Sequence, residues 1–238
     1  MIRILDCKNP NYLSRLKLIL NKRRFKSKIN TDIVIKIVKD IKKNKKKALL
    51  KYEKKFSKNA KIKPTKKEIN KSIKSLDPKI KNAIDFAYSR ILKFHSLQKN
   101  KNIKYVDKQN NKIEYRYIPI QSVGIYVPSN LPSTLLMNAI LAKKIAGVKR
   151  VVLANPRLNG KLNPAVMYAA KKCGISEIIN ASGSQAIASL AYIQKVNKIV
   201  GPGNDFVARA KKEVFGDVGT EGMVAGPSEI TVVADKNT

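Results

Sequence analysis

The chain has 238 residues, 43% of them hydrophobic, which suffices for a sizeable buried core and argues against intrinsic disorder. No apolar run approaches the roughly 18 to 20 residues that span a bilayer, and no small-residue cleavage site follows the start. A membrane span and a secretory leader are therefore not expected, and a cytoplasmic address is. Fifty Lys and Arg against 16 Asp and Glu give a net charge of +34, so a polyanion partner has to be weighed.

Residues 31–56 read as helix, with Thr31 or Asp32 at the start and Val34, Ile37, Val38 and Ile41 at one-face spacing. The basic run from Lys42 to Lys47 marks a turn before a second helix carrying Leu49, Tyr52 and Phe56. A short helix over 68–76 ends before Asp77-Pro78, which can cap and open the next helix. That helix, 79–98, presents Ile80, Ile84, Ala87, Ile91 and Phe94 on one face. Residues 103–107 and 113–119 alternate as strands around Gln109-Asn110-Asn111, a hairpin pattern.

From Gln121 onwards strands and helices alternate. Strands are expected at 122–128, 149–155, 177–180 and 197–200, and helices at 133–146, 164–173, 184–193 and 205–214. Four repeats with short connections predict an α/β fold: a Rossmann-like parallel sheet flanked by helices, preceded by a mostly helical segment with a β-hairpin. A further strand is expected at 229–234. The expected division is a first unit over 1–120, rejoined by 229–238, and a Rossmann-like unit over 121–228.

Ligand sites in such folds gather at the carboxyl ends of the strands. Four loops there carry small or polar residues: Pro128-Ser129-Asn130, Ser182-Gly183-Ser184-Gln185, Gly201-Pro202-Gly203-Asn204 and Ala225-Gly226-Pro227-Ser228-Glu229. Glycine admits a ligand close to the backbone, and a helix N-terminus offers amides to an anion. Ser182 and Asn204 equally suit plain helix caps. Tyr126 points either into the helix-covered layer or to its rim. No G-x-G-x-x-G follows a strand, and no P-loop is present. His95 reads as a packed or capping histidine and Cys173 as a small buried filler. With one histidine and two distant cysteines, Cys7 and Cys173, neither a metal site nor a disulfide framework is expected in this chain.

Taken in order, these stretches resemble histidinol dehydrogenase over nearly the whole chain. The similarity runs through Ala48-Leu49-Leu50-Lys51-Tyr52 with Phe56, Arg90–His95, Val123–Pro128 and Ile145–Val148. It continues through Gly183–Ala188, Val200–Asn204 and Ala225–Glu229. The resemblance implies NAD-dependent oxidation of L-histidinol to L-histidine through the aldehyde by a zinc-containing homodimer. It implies NAD contacts at Tyr126, Gln185 and Asn204, and a substrate contact at Ser228. Ser129-Asn130 stands where the family usually has Gly-Gly, and Thr220–Met223 departs from its common Ile-Asp-Met. The family's Glu–His acid/base pair and its zinc ligands are expected beyond residue 238, which makes this chain an N-terminal portion without its catalytic residues.

A different class of function remains, a basic polyanion-binding protein on an inactive dehydrogenase scaffold. Residues 1–120 hold 36 basic and nine acidic side chains, net +27, but only nine of the 50 basic residues are Arg. The lysines are scattered beside Ile and Asn, as compositional drift would leave them. No aromatic-basic recognition motif accompanies them, so nucleic acid is not the expected partner.

Overall fold

A computed structural model describes residues 5–24, 31–129, 131–221 and 234. Helices α1 (Tyr12–Arg24), α2 (Thr31–Ser57), α3 (Lys66–Lys74) and α4 (Pro78–Ser96) come first. Helix α1 was not anticipated. Helix α2 is broken at Lys45, whose φ of 48° and ψ of −126° are non-helical, inside the lysine run expected to turn. Thr65 and Glu68 form a reciprocal capping box on α3, and Asp77 accepts from the Lys79 amide at the start of α4, beside Pro78.

The hairpin pairs β1 (Ile103–Val106) with β2 (Lys112–Tyr115), Ile103 opposite Tyr115. The Asp107 side chain accepts from the Gln109 and Asn111 amides, and Asn110 sits at φ 63°. This Asx-type turn is what the Gln-Asn-Asn sequence announces.

Then follow β3 (Ser122–Tyr126), α5 (Pro132–Ile140), β4 (Arg150–Ala154), α6 (Pro164–Lys172), β5 (Glu177–Ile179), α7 (Gly183–Tyr192), β6 (Lys198–Val200) and α8 (Asp205–Val214). A two-residue strand, β7 (Gly219–Thr220), follows and was not anticipated. The sheet order is β5-β4-β3-β6-β7, parallel throughout. Strands β3 and β4 are buried nearly end to end, as a sheet covered on both faces requires.

Two apolar clusters lie on either side of the sheet. One joins α2 to α7 and α8 through Val34, Ile41, Leu49, Ile187 and Leu190. The other joins α4 to α5 and α6 through Ile84, Leu135, Ile140 and Met167, with α3 packed against α6. Helix α2 thus forms an outer layer over α7 and α8, and α3 and α4 form one over α5 and α6. The predicted apolar face of α4 is only partly used: Ile84 is buried, whereas Ile80 and Phe94 are exposed, because α5 and α6 cover a narrower stripe than the face presents. Both strands of the hairpin are exposed along their length. The strand expected over 229–234 lies, Ala234 apart, outside the described residues.

Two carboxylates make stability depend on pH. Hydrogen bonds from Asn44, Lys51 and Tyr52 bring Asp40 from 3.8 to about 2. The Thr65 amide, Lys61 and Arg157 bring Glu68 from 4.5 to about 2. Both folded values lie below the unfolded ones, so their contribution is complete above about pH 4.5 and is lost as pH falls towards 2. A series of urea midpoints should fall across that window, and Glu68→Gln should remove part of the slope.

Candidate functional site

Numbered within the domain, the sheet order is 3-2-1-4-5, so the order in which strands are added reverses between β3 and β6 while all strands stay parallel. The crevice beyond the carboxyl ends of those two strands is where ligands bind in open parallel sheets. Tyr126 ends β3, and Gly201–Asn204 follows β6. Gly201, at φ 112°, lies so close to Tyr126 that a Cβ on it would be 2.1 Å from the Tyr126 carbonyl oxygen. The carboxylate of Glu221 accepts from the Gly201 amide at 2.7 Å, and Lys211 bonds both the Gly201 carbonyl and Glu221. The loop is held from both sides.

Tyr126 points into the helix-covered layer and is 4% exposed. Its phenol oxygen accepts from the Gly183 amide at 3.2 Å, at the start of α7. Burial raises the Tyr126 pKa, the Gly183 hydrogen bond opposes this, and the nearby Glu53 charge adds to the rise. Gln185, in the first turn of α7, is also buried. Its amide Nε2 donates to Glu53 Oε1 at 3.0 Å and to Ser182 Oγ at 3.1 Å. Asn204 stands exposed at the neighbouring strand end, and its Oδ1 caps α8 by accepting from the Val207 amide. The Ser184 hydroxyl donates to the Phe206 carbonyl, tying the starts of α7 and α8 together. Tyr126 and Gln185 are therefore linked through Gly183, with Asn204 on the next loop. Ser228 and its loop lie outside the described residues, as does Asn130.

The cap expectation holds for Asn204 and not for Ser182, whose hydroxyl makes no capping bond. It serves Glu53, Ser57 and Gln185 instead.

The residue that sequence reasoning passed over is Glu53, on α2 and with no solvent exposure. Its Oε1 accepts from the Ser182 amide at 2.8 Å as well as from Gln185. Its Oε2 has no hydrogen-bond partner among the described residues. Burial pushes the Glu53 carboxyl up, against the pull of those donors and of Ser57. A signal was present: Glu53 follows Leu49 by four residues and so falls on the buried side of the helix. Asn155 and Asn180 were also missed. Asn155 Nδ2 donates to the carbonyls of Val127 and Ser129, holding the exit of β3, and Asn180 Nδ2 donates to the Asn155 carbonyl.

His95 is half-buried, its ring nitrogens against Gln98 and the Met137 sulfur, away from these loops. Cys173 is buried, which drives its thiol up to about 11 and makes it inert at neutral pH. Among the described residues no group of three His, Cys, Asp or Glu could hold a metal ion.

The chain can be compared with known proteins on this basis. The family model of histidinol dehydrogenase matches residues 20–238. The histidinol dehydrogenase of Pelagibacter ubique is 60% identical over 243 residues, covering 99% of this chain and 56% of that protein. That of Rhodospirillum rubrum is 39% identical, over 92% of this chain and 52% of its own length. The crystal structure of histidinol dehydrogenase from Elizabethkingia anophelis superposes with a TM-score of 0.81 at 36% identity, covering 91% of this chain and 52% of that one. The chain thus spans about half the length of the relatives it matches.

Proposed function

The chain belongs to the histidinol dehydrogenase family, and from that premise we propose that it supplies the cofactor-binding half of an enzyme oxidising L-histidinol to L-histidine through the aldehyde. The observation that carries this is the meeting of Tyr126, Gly183 and Gln185 at the reversal of the sheet, beside the Gly201–Asn204 loop. Tyr126, Gln185 and Asn204 are the proposed NAD contacts and Ser228 the proposed substrate contact.

The groups present suit a dinucleotide. The Tyr126 hydroxyl accepts from Gly183 and still has its own hydrogen to donate. The Asn204 cap uses Oδ1 and leaves the Nδ2 donors. Side-chain amides and a phenol at strand ends can hold ribose and phosphate oxygens where a glycine fingerprint is absent. When bound, NAD takes up one hydride at each of the two oxidations.

Zinc finds no ligand set among the described residues. We assign it, with the acid/base pair, to the part of the longer relatives that this chain does not match, and derive no step through it. In this reading residues 121–228 form the cofactor unit, and residues 1–120 with 229–238 belong to a second unit completed elsewhere. The working form is a homodimer in the cytoplasm. Exposed apolar side chains of α4 and the hairpin, among them Phe86, Phe94, Leu97, Ile103 and Ile113, are consistent with further protein covering them. Among the described residues no helix is long and apolar enough to cross a membrane.

The test is to express the longest reading frame containing this sequence and to follow histidinol-dependent NAD reduction. The expected result is activity abolished by a chelator and restored by zinc, with residues 1–238 alone giving no turnover. A folded full-length product without histidinol-dependent NADH formation overturns the proposal.

A further inference from the structure

Glu53 is a carboxyl group with no exposure, carried 132 residues before Gln185 in the sequence and yet bonded to its amide. The amide NH2 has two hydrogens. One goes to Glu53 Oε1 and the other to Ser182 Oγ. What remains for a ligand is the carbonyl oxygen, to which no described residue donates. It lies 3.5 Å from where a Cβ on Gly183 would stand, and Gly183, at φ 52°, carries no side chain to cover it.

We propose that Glu53 is a positioning residue which locks the Gln185 amide so that its carbonyl oxygen, rather than its NH2, faces the cofactor. The proposal rests on Gln185 being an NAD contact. The reversed amide would set its oxygen against Glu53 Oε1 and forfeit that hydrogen bond. Glu53 Oε1 also receives the Ser182 amide, so the carboxylate is oriented by backbone, and it in turn orients the side chain. Its other oxygen, Oε2, is buried and without a partner among the described residues, so half of the group's hydrogen-bonding capacity goes unused. Burial that raises its pKa makes it a poor source of stability. An acceptor fixed in this way selects a donor on the cofactor, a ribose hydroxyl or the carboxamide N–H. It rejects a phosphate oxygen at that point.

The experiment uses the full-length enzyme, titrated with NAD and assayed at steady state, with variants Glu53→Leu, which removes the acceptor, Gln185→Ala and the pair together. Loss of one oriented hydrogen bond predicts an NAD affinity about tenfold weaker in each single variant. For the Glu53 variant the loss should appear as a rise in Kd and in KM for NAD, with kcat and KM for histidinol within about twofold. The double variant should be no weaker than Gln185→Ala, because both changes remove one interaction. If Gln185→Ala weakens NAD and a folded Glu53→Leu does not, Glu53 does not position it, and the cofactor reading survives. If Gln185→Ala leaves NAD affinity unchanged, the cofactor reading of Gln185 fails and takes the proposal with it. Additive losses accompanied by a lower melting temperature would make Glu53 merely structural and also overturn it. Should Glu53→Leu not fold, Glu53→Asp decides: it keeps the charge but draws the carboxylate back from the Gln185 amide, and unchanged NAD affinity then overturns the proposal.

Discussion

Gly201→Ala should leave little folded protein. Two independent obstacles meet at this position. Its φ of 112° lies in a region that side-chain-bearing residues rarely adopt, and a Cβ there would stand 2.1 Å from the Tyr126 carbonyl oxygen, 3.0 Å from its carbon and 3.2 Å from its nitrogen. The obstacle is backbone on the adjacent strand, so no rotamer change relieves it. Strands β3 and β6 would have to part at the point where the sheet reverses. Strain and overpacking together predict a loss of about 3 to 5 kcal/mol, a large share of the roughly 5 to 15 kcal/mol that holds a typical domain together. Gly160→Ala is the control. Gly160 also has positive φ, 75°, but nothing lies within 4 Å of its Cβ position, so only backbone strain opposes the change. Chemical denaturation of the full-length protein should show Gly160→Ala displaced by about 1 kcal/mol. Equal midpoints for the two variants would show that the Tyr126 contact is not what confines Gly201.

Leu190→Ala should be the most damaging of the simple core truncations around α7. Leu190 has no exposure, and its methyl carbons lie 2.9 and 3.1 Å from the Cβ position of Gly124 on β3, with a Val196 methyl at 3.1 Å. The helix rests on the strand only because residue 124 has no side chain. Truncation removes buried apolar surface and leaves a cavity under the helix that presents Gln185, at a cost of about 3 to 4 kcal/mol. Gly124→Ala alone overpacks the same contact by about 1 to 3 kcal/mol. In the double variant the new methyl enters the space Leu190 vacates, so the combined loss should fall short of the sum by about 1 kcal/mol. Strict additivity of the denaturation midpoints would mean that the two sites do not share the contact.

The alternation of strand and helix from Ser122 to Val214 was legible in the sequence because it is written locally. Buried strands carry short apolar runs such as Val151-Val152-Leu153, and helices open on Asn163-Pro164 or Asn204. The turn in the lysine run and the cap at Asp77 followed from the same nearest-neighbour chemistry. Site residues were legible only through the family resemblance. Tyr126 looks like any core tyrosine until its phenol is seen to meet the Gly183 amide 57 residues away.

By itself, then, the sequence determined which segments are strands and helices, that the sheet is parallel, and the loops among which a site had to lie. Periodicity and capping depend on residues a few positions apart, and those are all present in the local pattern. The tertiary structure alone decided the order β5-β4-β3-β6-β7, the partial use of the α4 face, and the placing of Glu53 beneath Gln185. Those depend on which distant surfaces pack together. A buried carboxyl beside an amide is invisible in a sequence until the fold has brought α2 onto α7.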